Sequence, residues 1–131
     1  MADAAITEEQ HPYFPSGVWE GFFVYGAGPG AERHQMSFSL NFSGGRVTGS
    51  GGDSVGAFSW EGTYDVAGMS VTMTKTYVGS HSVHYRGMAD ATGIYGSWTM
   101  IFTAGGFHIW PKDREEIVEE ATVEEKELSA V

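Results

Sequence analysis

From residue 17 to residue 111 apolar and polar side chains alternate with a period of two, the period of a strand that buries one face. Residues 37–47, SFSLNFSGGRV, show it most clearly. Strands are expected near 17–25, 34–43, 46–53, 55–64, 69–77, 82–88, 94–102 and 106–110. Turn-forming residues separate them: SGGR at 43–46, DVAG at 65–68, VGSH at 78–81, DATG at 90–93 and TAGG at 103–106. Only residues 26–33, GAGPGAER, make a long connection. Short strands joined by tight turns describe an all-β, eight-stranded antiparallel up-and-down meander, which can close into a barrel and so remove its own edges.

The alternation also assigns faces. Trp19, Phe23, Tyr25, Met36, Phe38, Leu40, Phe42, Phe58, Trp60, Tyr64, Val71, Met73, Lys75, Tyr77, Val83, Tyr85, Ile94, Trp98, Met100, Phe102, Phe107 and Ile109 share the inward parity. Their opposites on strands two to five are mostly serine and threonine. Glycine is in excess, 19 of 131 residues and all between Gly17 and Gly106. Gly21, Gly49, Gly51, Gly62, Gly87 and Gly96 fall on the inward parity beside bulky aromatics. They either let the strands coil and pack or leave room for a guest.

Charge divides the chain further. Residues 1–16 carry a net −3, residues 17–112 a net −1 and residues 113–131 a net −6. The first segment reads as a flexible leader whose aromatics, in HPYFP at 11–15, pack over the Trp19 end. The last reads as an acidic tail or short helix. No basic stripe is present to track a phosphate backbone, so no nucleic-acid partner is expected. No apolar run reaches the ~18 residues of a membrane span, the first residues lack signal-peptide character, and there is no cysteine. A cytoplasmic protein without a membrane partner is expected.

Lys75 is the one basic residue on the inward parity. A lone ammonium among aromatics demands a partner. Three readings stand: an internal ion pair with Asp53, snorkelling to the rim, or contact with a ligand's anionic or carbonyl oxygen. In the last, Tyr85 and Tyr77 add hydroxyls, Phe58 an apolar wall, and Tyr25 and Asp53 complete the site. Centring the turns sets out a row Gly51, Phe58, Lys75, Tyr85, Gly96 across the barrel. The odd-numbered connections fall at the Lys75 end and Trp19 at the other, the asymmetry of a cup.

Gly17-Val18-Trp19 resembles the start of the first strand in calycins, the lipocalin and avidin-like barrels. The resemblance spans residues 17–111 and implies a base closed by the tryptophan and a mouth that takes small molecules. It is nearest to avidin-like proteins, in SGGRVTGSG at 43–51 and IYGSW at 94–98. The polar residues that hold biotin's ureido head in that family fall here on Gly21, Tyr25, Gly51 and Asp53, so biotin is not the expected ligand. GVWEG at 17–21 is also similar to nitrobindin-type haem barrels, but His11, His34, His81, His84 and His108 lie in the leader, at loop edges or on outward parity. No metal or cofactor is expected.

No nucleophile–base constellation stands out, and Lys75, Tyr85 and Asp53 are the only acid–base set an enzyme could use. The expected function is a barrel holding a small, mainly apolar or amphipathic molecule near Lys75; the alternative is an interaction barrel with a solid core. Outward apolar residues Phe22, Val24, Met88, Tyr95, Ile101 and Trp110 lie on strands six, seven, eight and one, which closure makes contiguous. Such a stripe suits a homodimer interface.

Overall fold

A computed structural model describes residues 8–26 and 30–112. Eight strands follow in order: β1 Gly17–Phe23, β2 His34–Ser43, β3 Arg46–Asp53, β4 Ala57–Asp65, β5 Ser70–Tyr77, β6 Ser82–Asp90, β7 Gly93–Thr99 and β8 Ala104–Pro111. Each pairs antiparallel with its sequence neighbour, and β8 pairs with β1, so the sheet is a closed barrel. None of the described helical segments is long and apolar enough to cross a membrane.

The expected parity holds along most of every strand. Trp19, Phe38, Phe42, Trp60, Met73, Lys75, Tyr85, Trp98 and Ile109 are all buried inside. It fails where strands end earlier than expected. β1 stops at Phe23 and β7 at Thr99, so Tyr25 and Phe102, expected inside, lie in connections and are 53% and 95% exposed. Met100 is half-buried. Once the ladder stops, alternation no longer constrains which way a side chain points.

The register of the expected row also changes. Gly51 does face Phe58, but Phe58 pairs with Tyr77, Lys75 with Trp60 and Val83, and Tyr85 with Met73 and Trp98. The β4–β5 connection is residues 66–69, ending in Met69 with φ 52°, one residue later than DVAG suggests. The β5–β6 turn centres on Gly79, φ 67°, rather than Ser80, and in β6–β7 Asp90 pairs with Gly93. Moving a turn centre by one residue slides the pairing by two, which changes neighbours and keeps faces.

Glycine permits the tight curvature. A Cβ on Gly51 would meet the Ser37 carbonyl and the Phe38 backbone inside contact distance, because β2 folds across the interior side of β3 at that point. Gly96 stands in the same relation to the Arg86 carbonyl of β6. The choice left open by the sequence falls here to curvature: the space above these glycines is filled by backbone.

Of the segment expected as a flexible leader, residues 8–16 lie packed against the barrel base. Phe14 is fully buried between Phe42 and Tyr64, with ring centroids 5.6 and 5.1 Å away. The Trp19 indole donates to the Pro15 carbonyl at 2.9 Å, and the Phe42 amide donates to Ser16 Oγ at 2.9 Å. The Tyr64 hydroxyl donates to Glu9 Oε1 at 2.8 Å. The base is therefore shut by Phe14 and Trp19 together. The tail expected at 113–131 lies outside the described residues.

Two substitutions test this construction by chemical denaturation. Gly51→Ala should destabilise by roughly 3 kcal/mol, since β2 must move away, whereas Gly52→Ala, whose Cβ would meet only the Gly56 carbonyl at 3.7 Å, should cost under about 1 kcal/mol. Phe14→Ala should cost about 3–5 kcal/mol by opening a cavity at the base.

Candidate functional site

The connections β1–β2, β3–β4, β5–β6 and β7–β8 all lie at the end opposite Phe14, as the up-and-down order requires. A narrow well opens there. Tyr25, Val55, His81 and Met100, one from each of those four connections, line its upper part, and Lys75, Tyr77, Tyr85, Phe23, Val83 and Trp98 its lower part. Its volume is about 20 Å³, room for one or two waters.

Lys75 sits at the floor, 1% exposed. Snorkelling is excluded by that burial. Its Nζ donates to Asp53 Oδ2 at 2.9 Å, and both side chains are out of contact with solvent. The geometry thus selects the internal ion pair among the readings of Lys75 as it stands. Five rings surround the ammonium, with centroids at 4.4 Å for Phe23, 4.9 Å for Phe58 and Tyr77, 5.1 Å for Tyr85 and 5.9 Å for Trp60. Such ring faces attract a desolvated cation and offset part of the cost of burying it.

Asp53 terminates β3 and is satisfied on both oxygens. Oδ2 also accepts from the Tyr77 hydroxyl at 2.6 Å, while Oδ1 accepts from the Val55 amide at 2.8 Å. Burial pushes its carboxyl up, but the bonds from Tyr77 and Lys75, with the lysine's charge, outweigh it and hold Asp53 below the usual 3.8. Burial pulls Lys75 below its ordinary range, and Asp53 restores part of the difference. Burial, followed by the Asp53 carboxylate, pushes the Tyr77 hydroxyl far up, so it stays a donor. Burial does the same for Tyr85.

Donors exceed acceptors in this layer. The Tyr85 hydroxyl reaches only Met36 Sδ, at 3.9 Å, and Lys75 Nζ reaches the same sulfur at 3.5 Å. A thioether is a weak acceptor. The buried Trp60 Nε1 has no acceptor among the described residues. Sequence reasoning placed Trp60 inside but gave it no role, because a two-residue slip set Phe58 in its place beside Lys75.

The structure brings together Lys75, Asp53, Tyr77, Tyr85 and Phe58, and leaves Tyr25 at the rim, where its ring stands edge-on to Trp98 at 5.3 Å. Gly21 is pressed against β8 and Gly51 against β2, Tyr25 is exposed, and Asp53 is paired with Lys75. The histidines are dispersed. His34 stacks on Phe23, His81 lies beside Tyr77, His84 contacts Thr74 and His108 the Thr92 carbonyl. Among the described residues no cluster of three metal-ligating side chains occurs.

On the outside, Phe22, Trp110, His108 and Tyr95 form a chain of ring contacts at 5.2–6.3 Å across β1, β8 and β7. Arg33 covers Phe22, and the Trp110 indole donates to Glu20. Val24 is half-buried, Met88 and Tyr95 are 47% and 42% exposed, and Ile101 lies in the β7–β8 connection. No family model matches the chain, and no curated protein or solved structure is significantly similar to it.

The ion pair makes a pH prediction. Because Asp53 is held below its unfolded value, its stabilisation is complete above about pH 3.8 and is lost as pH falls through the lower folded value. Asp53→Asn should lower stability at neutral pH by about 3 kcal/mol, by leaving Lys75 unpaired, and should flatten the acid limb of a urea-melt series. Combined with Lys75→Met it should recover most of that loss, the coupling expected of a contacting pair.

Proposed function

We propose that the chain is a calycin-type barrel that binds a small, mainly apolar molecule by an anionic or carbonyl oxygen at Lys75. The supporting observation is the surplus of donors on the well's floor: an ammonium and the Tyr85 hydroxyl meet one carboxylate oxygen and one thioether. Each poorly satisfied buried donor costs about 1–3 kcal/mol, and an acceptor entering from the mouth relieves that cost. The well admits only a head of one or two heavy atoms beside Lys75, so the apolar body of the ligand rests higher, among Tyr25, Val55 and Met100.

The small volume favours a second reading, in which the interior is solid and the barrel serves as an interaction module. Native mass spectrometry and tryptophan fluorescence against carboxylic acids, ketones and amides, with biotin and haem included, separate the two. Acids are expected to bind. Replacing Lys75 by Met, tested also with Asp53→Asn so that no carboxylate is stranded, should weaken binding by about tenfold or more, ~1.4 kcal/mol. Tyr85→Phe should weaken it less. If no acceptor-bearing molecule binds the wild type, the solid-core reading stands.

A further inference from the structure

Lys75 is one of three lysines in the chain, with Lys112 and Lys126, and its setting is not that of a surface amine. It lies at the floor of the well, below a wall to which Phe23, Val83 and Trp98 contribute. Five aromatic rings stand where an exposed ammonium would hold water. Burial accordingly pulls Lys75 below its ordinary range, toward the neutral amine. A neutral amine in an apolar pocket is a nucleophile for carbonyl carbon.

The neighbouring groups suit that reaction. Asp53 Oδ2, at 2.9 Å, is placed to take a proton from Nζ. The Tyr77 hydroxyl donates to the same oxygen at 2.6 Å and keeps the carboxylate in position. The Tyr85 hydroxyl meets the same Met36 sulfur as Nζ, at 3.9 Å, and has no stronger acceptor. It is free to donate to an oxygen that gains charge beside Nζ. The well admits one or two heavy atoms there, which a straight-chain aldehyde offers and a branched one does not.

We propose, on the same reading of the well, that Lys75 captures small unbranched aldehydes as a protonated imine. Asp53 takes one ammonium proton, and the freed nitrogen lone pair bonds the aldehyde carbon as the C=O π pair moves onto oxygen. The nitrogen passes a second proton to that oxygen. Asp53 then returns the first, and the oxygen leaves as water while the nitrogen lone pair closes the C=N bond. Nitrogen keeps one hydrogen and the positive charge, so the pair with Asp53 survives and no buried carboxylate is stranded. The imine cation spreads its charge over carbon and nitrogen, which suits the surrounding ring faces better than a compact ammonium does.

Reductive trapping tests this on the full chain. Hexanal with cyanoborohydride at neutral pH, followed by peptide mass mapping, reads Lys75 and the exposed Lys112 in one sample. Lys75 should be alkylated roughly tenfold faster than Lys112. Pivaldehyde, branched beside the carbonyl, should reverse that order. Tyr85→Phe, which keeps the ring, should slow Lys75 several-fold and leave Lys112 unchanged. Alkylation by hexanal at Lys112 without Lys75 overturns the proposal. So does labelling of Lys75 that needs denaturant, or that is as fast with pivaldehyde as with hexanal. If carboxylic acids still bind such a protein, the binding reading stands and only the covalent step falls. If neither acids nor aldehydes engage Lys75, both fall.

Discussion

Closure of eight strands into a narrow barrel governs everything else in this protein. The ladder between β1 and β8 leaves no free edge, but it forces neighbouring strands to fold sharply across one another. A side chain at Gly51 or Gly96 would occupy the space taken by the next strand's backbone. The glycine content is therefore a condition of closure. Once the backbone is that tight, the interior left over is filled by aromatic rings in edge-to-face contact, such as Trp60 with Tyr85 at 4.8 Å.

Within that aromatic filling a single polar layer survives. Its members are held by different means: Asp53 by the end of β3 and two backbone amides, Tyr77 and Lys75 by two positions on β5 with the same parity. Because Tyr77 and Lys75 meet one oxygen of one carboxylate, the three groups form a unit whose charge is nearly balanced. The cost of burying it is offset in part by the ring faces around the ammonium. A purely apolar layer would be simpler to pack; here the polar one lies at the inner end of the well from the mouth.

Legibility in the sequence followed the range of the rule applied. Alternation is local, and it placed Trp19, Trp60, Lys75 and Tyr85 inside without error. Register depends on where each turn centres, and Met69 and Gly79 shifted two hairpins by two residues, enough to exchange Trp60 for Phe58 opposite Lys75. Strand ends were harder still, since nothing in the pattern announces that β7 stops at Thr99; that is why Phe102 was assigned to the interior. The closeness of Lys75 and Asp53 was readable as a possibility because both shared parity near one end. The donor surplus around Met36 was not, because it depends on distances between strands β2, β5 and β6 that no local pattern encodes.

The two ends show how the same chain solves one problem twice. A barrel of eight strands exposes a rim of backbone and core at each end, and each must be kept from water. At the base the chain does this itself: residues 8–16 return over the opening, Phe14 fills it, and Ser16 and Pro15 satisfy backbone and indole groups there. At the mouth no described segment performs that role, yet the same kind of side chain is present, turned outward on four loops. Apolar residues in a turn carry a hydration cost that serine or asparagine would avoid. In the turns of the sealed end the large apolar residues, Val66 and Met69, pack against the core instead.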